Sequence, residues 1–413
     1  MPNITRREFA TAALVLVPSL RAAARLNPAK AKSIDEVLSA GIQRRSIPAV
    51  TAVVADRNNI TYQGAFGKRD GASGVDVKGD SIFAIASMTK AITAAAALQL
   101  VEQGKVALNG PVSKYLPELA NAQVLDGYDA AGKPRLRAPK TPITLKHLLT
   151  HTSGFCYDNW SDEMQRWKKA TGQTIPLGVV GPMVPLMFDP GTRWQYGYSM
   201  DWAGKLVEAV SGQTLEQYFQ KNILQPLGMN DTSFVLAADK FDRKVSVYGR
   251  QNGSPLKEVP RAMPDPPKAF NGGGGLYSTA SDYIKFTQMI LRHGRGAHGD
   301  QILRSKTVAM MSANQTGMLA AGRLKTESPD LSSDVDLHPG ADDRYSLGFL
   351  LNPTAYAAGR SAGSLAWAGI YNTFYWIDPK RDVCAVIMMQ FLPFVDKEAV
   401  GLLGDFEHAV YAA

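Results

Sequence analysis

The stretch Ser81-Ile82-Phe83-Ala84-Ile85-Ala86-Ser87-Met88-Thr89-Lys90 decides how the rest of the chain is read. Its first five residues form a short extended approach. An alanine-rich helical run follows from about Ser87 to Gln103, closed by Gly104 where a helix end favours glycine. Residues three apart on a helix share a face, so this register sets the Ser87 hydroxyl beside the Lys90 amine. A serine at a helix start also has unpaired backbone N–H groups and positive dipole potential around it, which favour a developing oxyanion. The apolar neighbours Ala86, Ala91 and Ile92 suit the amine to take a proton. Ser-x-x-Lys alone is a weak signal. A second copy, Ser254-Pro255-Leu256-Lys257, follows Gly253 and contains proline, which marks a loop.

Outward from this stretch, strand patterns cluster at the two ends of the chain. Residues 33–45 read as an amphipathic helix. Val50–Val54 and Ile60–Gly64 follow as strands joined by the turn-rich Asp56-Arg57-Asn58-Asn59. Near the other end, Tyr345–Leu351, Ser364–Ala368, Thr373–Ile377 and Val383–Gln390 are strand-like, and Lys397–Tyr411 is a closing helix. Between them lie the helical patterns Leu145–Leu149, Met200–Val210, Leu215–Ile223 and Ala280–Leu291. The runs 124–142 and 313–343 read as polar loops. The economical fold is α/β (α+β): a mixed, largely antiparallel sheet built from both termini and flanked by helices, plus a mostly helical subdomain. The expected division is an α/β subdomain from residues 25–86 and 271–413, and a mostly helical subdomain from 87–270.

The chain has 413 residues, 45% hydrophobic and 20% charged, which excludes a disordered chain. Two cysteines exclude a disulfide scaffold and a cysteine-rich zinc module, and Cys384, inside Val383–Ile387, reads as a small buried hydrophobe. The net charge of +8 is scattered without a basic run, so no nucleic-acid partner is expected. Residues 1–24 carry Thr5-Arg6-Arg7-Glu8-Phe9, an apolar stretch from Ala10 to Pro18, and Ala22-Ala23-Ala24. This is the pattern of a twin-arginine (Tat-type) signal peptide, so a periplasmic or secreted location is expected. The apolar stretch is too short to span a bilayer, and no stable membrane insertion is expected.

Four further segments give Ser87 and Lys90 a context. They are Thr144-Leu145-Lys146-His147-Leu148-Leu149-Thr150-His151-Thr152-Ser153-Gly154, the run Pro190-Gly191-Thr192-Arg193-Trp194-Gln195-Tyr196-Gly197-Tyr198-Ser199-Met200-Asp201, Gly272-Gly273-Gly274-Gly275-Leu276-Tyr277-Ser278, and Trp367-Ala368-Gly369-Ile370. Their order and spacing resemble the penicillin-recognising serine hydrolases, in the class C β-lactamase-like branch that includes the family VIII carboxylesterases. The resemblance covers roughly residues 33–410. It implies the β-lactamase/transpeptidase-like fold, no metal or organic cofactor, and a small-molecule ester or amide substrate.

The resemblance further implies Ser87 as nucleophile, Lys90 as the group that takes its proton, and Tyr196 as the group that protonates the leaving group. A phenol ordinarily keeps its proton at neutral pH, so Tyr196 has to act beside the lysine's charge. Trp367-Ala368-Gly369 falls where β-lactamases carry Lys-Thr-Gly, and the backbone N–H groups of Ser87 and Ile370 would form the oxyanion hole. Phe155, Trp194, Tyr198, Trp367, Ala368 and Gly369 are expected to bind substrate. Two positions depart from the family pattern. Tyr198 stands at the Asn of Tyr-x-Asn, and Trp367 at the Lys of Lys-Thr-Gly. Exchanging a cation for an indole removes the attraction for a substrate carboxylate and favours neutral esters. The reading is a carboxylesterase-like serine hydrolase. A D-alanyl-D-alanine carboxypeptidase, a weak β-lactamase, a transacylase and a non-catalytic binder remain as alternatives.

Three other motifs carry less. Gly359-Arg360-Ser361-Ala362-Gly363 matches a nucleophile elbow, with Asp378 and His408 in order, but a turn precedes it and a strand follows. His147 and His151 lack the glutamate of a zinc protease, and His151 reads as a structural residue bonding to backbone near the cleft. Asn271–Gly275 lacks the ending of a phosphate loop and reads as a tight passage of backbone beside the cleft.

Overall fold

The structure, a computed structural model, describes residues 26–173, 184–251 and 253–412. The signal peptide expected at residues 1–24 lies outside the described residues. The fold starts from two apolar, β-branched runs. Ala49–Ala55 is buried at every position, and Val383–Met388 at all but its first. Strands buried on both faces need a layer on each side. These two pair antiparallel, Val53 opposite Val386, so the ends of the chain meet at the middle of one eight-stranded sheet.

In spatial order the strands are Arg344–Tyr345, Leu350–Leu351, Leu365–Gly369, Thr373–Asp378, Val383–Met388, Ala49–Ala55, Ile60–Asp70 and Val75–Asp76. Each step is antiparallel. Phe391–Leu392 pairs in parallel with Tyr248–Gly249, in a separate small sheet. Phe406 of the closing helix Lys397–Tyr411 meets Trp376, while Tyr283 of Ala280–Leu291 meets Tyr375. Neighbours in a strand point to opposite faces, so these two helices cover opposite sides of the sheet. Pro28–Arg45 packs beside the closing helix, with Gly41 against Leu402.

The helix Thr89–Glu102 is buried from Thr89 through Leu100. A helix with no polar face belongs inside the protein, and its alanines let neighbouring backbone come close. It packs against Ser199–Ser211, and Gly104, at φ +70°, ends it as the sequence predicts. Two expectations change. Tyr345–Leu351 is a tight hairpin rather than one strand, because Gly348 turns the chain at φ +103° and pairs Tyr345 with Leu350. The polar run 124–142 contains a hairpin of Val124–Tyr128 with Pro134–Arg137, where Asp129 accepts N–H bonds from Ala131 and Lys133. Both strands are largely solvent-facing, which erased the alternation that marks a half-buried strand.

Candidate active site

Ser87 sits at the end of a short strand and the start of the buried helix. Phe83–Ala84 pairs with Tyr277–Ser278, a single 3-10 turn spans Ala86–Met88, and the α-helix begins at Thr89. Ser87 therefore lies just ahead of the helix. Ala86 is held at φ +42°, a left-handed conformation that costs a residue with a side chain about 1–3 kcal/mol. Three bonds maintain it. The Ile85 N–H donates to the Leu276 carbonyl (3.0 Å), the Leu276 N–H to the Thr89 hydroxyl (3.3 Å), and the Tyr283 hydroxyl to the Met88 carbonyl (2.8 Å).

Lys90 has no exposed surface. Its Nζ lies within hydrogen-bond distance of three oxygens: Ser87 Oγ at 3.1 Å, Tyr157 Oη at 3.3 Å and the Gly273 carbonyl at 2.5 Å. The Tyr157 hydroxyl donates in turn to Asp201 at 3.2 Å, and the other Asp201 oxygen accepts the Gly273 N–H at 3.1 Å. Burial pushes the Asp201 carboxyl up to about 6, with the Lys90 charge pulling it back. Burial first, and then the Asp201 charge, raise the Tyr157 phenol well above its ordinary range.

Tyr196 is brought to the same amine. The Gln195 N–H donates to the His151 carbonyl and the Tyr157 N–H to the Tyr196 carbonyl, so the two motif segments run side by side. The Tyr196 ring centroid lies 4.7 Å from Lys90 Nζ. Its hydroxyl accepts a hydrogen bond from the Trp367 indole at 3.3 Å. Ser87, Trp160 and Ile370 belong to both spaces that flank the serine. One is an apolar slot with Tyr196, Trp367, Ala368, Leu337 and Leu350. The other is a cavity of about 370 Å³ with Tyr157, Asn271, Leu276, Tyr277 and Tyr371, a volume within the usual range for small-molecule sites.

The beta-lactamase family matches the chain across residues 34–407. The chain belongs to the beta-lactamase family. Among its relatives, monacolin J acid methylbutanoyltransferase of Aspergillus terreus is 32% identical over 402 residues, 90% of this chain and 93% of its own. Lovastatin esterase of Penicillium rubens is 32% identical over 394 residues, 92% of this chain and 98% of its own. A mutant simvastatin synthase from Aspergillus terreus superposes with a TM-score of 0.81 at 30% identity, covering 93% of this chain and 95% of that one. The family is one of serine hydrolases and acyltransferases, the penicillin-recognising superfamily expected from the motifs, and the chain is an enzyme of that superfamily.

Within this family site, several sequence expectations need correction. Phe155, Trp194 and Tyr198 lie behind the cavity wall rather than on it. Phe155 stacks on Trp202 at 5.7 Å, Trp194 packs on Tyr345 at 5.8 Å, and Tyr198 meets Tyr157 edge-on at 4.4 Å. Aromatic residues next to a motif serve the core as readily as the cleft, and sequence does not separate the two. Trp367 and Ala368 do line the slot. Gly369 instead permits a close approach: a Cβ there would stand 2.3 Å from the Ile85 carbonyl oxygen, just upstream of Ser87.

His151 is buried as expected, but its ring does not bond to backbone. Among the described residues neither ring nitrogen has a hydrogen-bond partner. The imidazole packs on Tyr196 (4.8 Å) and Tyr345 (5.4 Å), and burial together with the Lys90 charge holds it well below its ordinary pKa. Asn271–Gly275 is a tight passage, with Gly272 against the Met200 carbonyl and Gly204. Ser361 precedes a strand and donates its N–H to Asp378, so no elbow forms. Cys156 and Cys384 are free and buried. No group of three or more His, Cys, Asp or Glu among the described residues is placed to hold a metal ion. No helix among them is long and apolar enough to cross a membrane.

Asp201, Gly273 and, as a hydrogen-bond partner of the lysine, Tyr157 belong to the site without a motif in the sequence to mark their role. The sequence signal for Asp201 is faint. A carboxylate in the first turn of an apolar helix is ordinarily explained by the helix dipole.

Proposed function

We propose that the protein is a carboxylesterase-like serine hydrolase that works through an acyl-enzyme on Ser87. The observation that carries this reading is the 3.1 Å contact between the Ser87 hydroxyl and the fully buried Lys90 amine. Lys90, as the free amine, takes the Ser87 proton while Oγ bonds to the ester carbonyl carbon. The carbonyl oxygen becomes an oxyanion facing the N–H groups of Ser87 and Ile370. Tyr196 delivers a proton to the departing alkoxide as the carbon–oxygen bond breaks, and is reprotonated from Lys90. Water then attacks the acyl-serine by the same route in reverse.

Trp367 beside Tyr196 favours a neutral, apolar ester over an anionic β-lactam or D-alanyl peptide. The 370 Å³ cavity shares Asn271, Gly274, Gly275 and Tyr277 with an outer groove lined by Phe234, Val235 and Met263. That continuity supports a substrate with a bulky apolar body, in keeping with a lovastatin esterase and a methylbutanoyltransferase among the relatives. The transferase relatives also favour a second reading, in which an acceptor alcohol replaces water in deacylation. We place the mature enzyme in the periplasm or outside the cell, on the twin-arginine pattern of residues 1–24.

The test is labelling with a fluorophosphonate, followed by turnover of p-nitrophenyl butyrate with and without an added alcohol. Ser87 carries the label, and Ser87→Ala and Lys90→Ala each abolish turnover in folded protein. Label recovered on another residue, or unchanged turnover in either variant, overturns the proposal. Ester formation outpacing hydrolysis selects the transferase reading.

A further inference from the structure

Lys90 has two oxygen partners besides Ser87, and Asp201 holds both of them. One Asp201 oxygen accepts a hydrogen bond from the Tyr157 hydroxyl at 3.2 Å, fixing the phenol oxygen that lies 3.3 Å from the Lys90 amine. The other takes the Gly273 N–H at 3.1 Å, and the carbonyl of that same residue receives Lys90 at 2.5 Å. The carboxylate reaches this peptide because position 273 is glycine. A Cβ there would lie 2.5 Å from Asp201 Oδ2.

We propose that Asp201 is the positioning residue of this site, aiming the Lys90 amine at Ser87 through Tyr157 and Gly273 and supplying the counter-charge for the ammonium that forms when Lys90 takes the serine proton. The inference rests on the acyl-enzyme reading above. An ammonium formed in a dry interior is costly unless an opposite charge and full hydrogen bonding accompany it. Asp201, itself 3% exposed, meets both needs without contacting substrate. The proton moves from Ser87 Oγ to Lys90 Nζ, and Asp201 stays a carboxylate throughout.

The groups that face Asp201 are few. Lys90 comes from the buried helix, Tyr157 from the segment after Gly154, the Gly273 peptide from the glycine run, and Tyr198 from the start of Asp201's own helix. Lys90 is the cation among them. With its carboxyl raised to about 6 by burial, Asp201 loses its charge as the pH falls through that value. The counter-charge is therefore present above about 6 and absent below it.

The test compares wild type, Asp201→Asn, Asp201→Glu and Tyr157→Phe, all checked for native near-ultraviolet dichroism. For each, the rate of fluorophosphonate labelling at Ser87 is measured, with kcat and KM for p-nitrophenyl butyrate from pH 5 to 9. Asp201→Asn keeps the shape and loses the charge. Its kcat and labelling rate fall about 10- to 100-fold while KM stays within about twofold, as expected for an effect on proton transfer. The fall in wild-type rate below pH 6 disappears in this variant. Asp201→Glu recovers part of the rate, and Tyr157→Phe, which cuts one of the two links, falls between Asp201→Asn and wild type. Folded Asp201→Asn with wild-type kcat and pH profile overturns the inference. So does a loss in which kcat and thermal stability fall together with the profile unchanged, since that marks a structural role. Wild-type protein that does not label at Ser87 overturns both this inference and the acyl-enzyme reading, whereas normal labelling in wild type and Asp201→Asn alike overturns the inference alone.

Discussion

The Trp367 indole N–H donates to the Tyr196 hydroxyl at 3.3 Å, and the two rings lie 5.0 Å apart. A phenol that accepts from an indole keeps its own proton free to donate. The tryptophan that stands in place of the family's lysine thus sets the direction of the tyrosine as well as walling the slot.

Trp367→Phe keeps the ring and removes the donor. A neutral hydrogen bond contributes about 0.5–1.5 kcal/mol net, so kcat for p-nitrophenyl butyrate falls about 2- to 10-fold with little change in KM. Steady-state kinetics of the purified variant measure it. An unchanged kcat means that Tyr196 is oriented by its aromatic neighbours alone.

Gly369→Ala forces a methyl group to within 2.3 Å of the Ile85 carbonyl. The strand Leu365–Gly369 has to move away from the turn that holds Ser87, at a cost of about 1–3 kcal/mol for an overpacked site. The melting temperature drops. Turnover measured well below that temperature drops further, because Ile370 moves with the strand while Ser87 stays in its turn ahead of the helix.

His151 is kept neutral in the fold by burial and by the Lys90 charge. Its folded pKa lies below the unfolded value of about 6.5, so the unfolded state binds the extra proton as the pH falls through 6.5. This contribution to stability is therefore intact above about pH 6.5 and is lost progressively below it. His151→Phe fits the same aromatic surroundings and removes that slope. Thermal denaturation of wild type and variant between pH 4.5 and 8 shows two curves that run in parallel above about pH 6.5 and separate below it, wild type falling more steeply; curves that stay parallel to pH 4.5 overturn the prediction.

Met263→Asp tests the outer groove. Met263 and Val235 are exposed apolar residues of the groove that adjoins the cavity beside Ser87. Removing apolar contact area of a few tens of Å², at about 25 cal/mol per Å², lowers kcat/KM several-fold for esters with a bulky apolar body. p-Nitrophenyl acetate, too short to reach the groove, is turned over as before. Equal losses on both substrates count against the extended site.

Sequence alone determined whatever depends on neighbours along the chain. The i, i+3 spacing of Ser87 and Lys90, the Gly104 helix end and the alternation and run lengths of the strands are local, and the helices Ala280–Leu291 and Lys397–Tyr411 begin and end where their patterns do. The segment order was enough to recognise the superfamily. Tertiary structure decided everything that depends on which side of a buried layer a side chain faces. Phe155, Trp194 and Tyr198 differ from Trp160 and Tyr371 in this respect and not in composition: the first three are core, the last two wall. Asp201 lies 111 residues from Lys90 and 72 from Gly273, and the three meet because two helices and a glycine run pack without room for a side chain between them. Local periodicity records how a segment folds on itself, whereas the hydrogen-bond network around Lys90 is made by backbone close approach between distant segments, which leaves no period in the sequence.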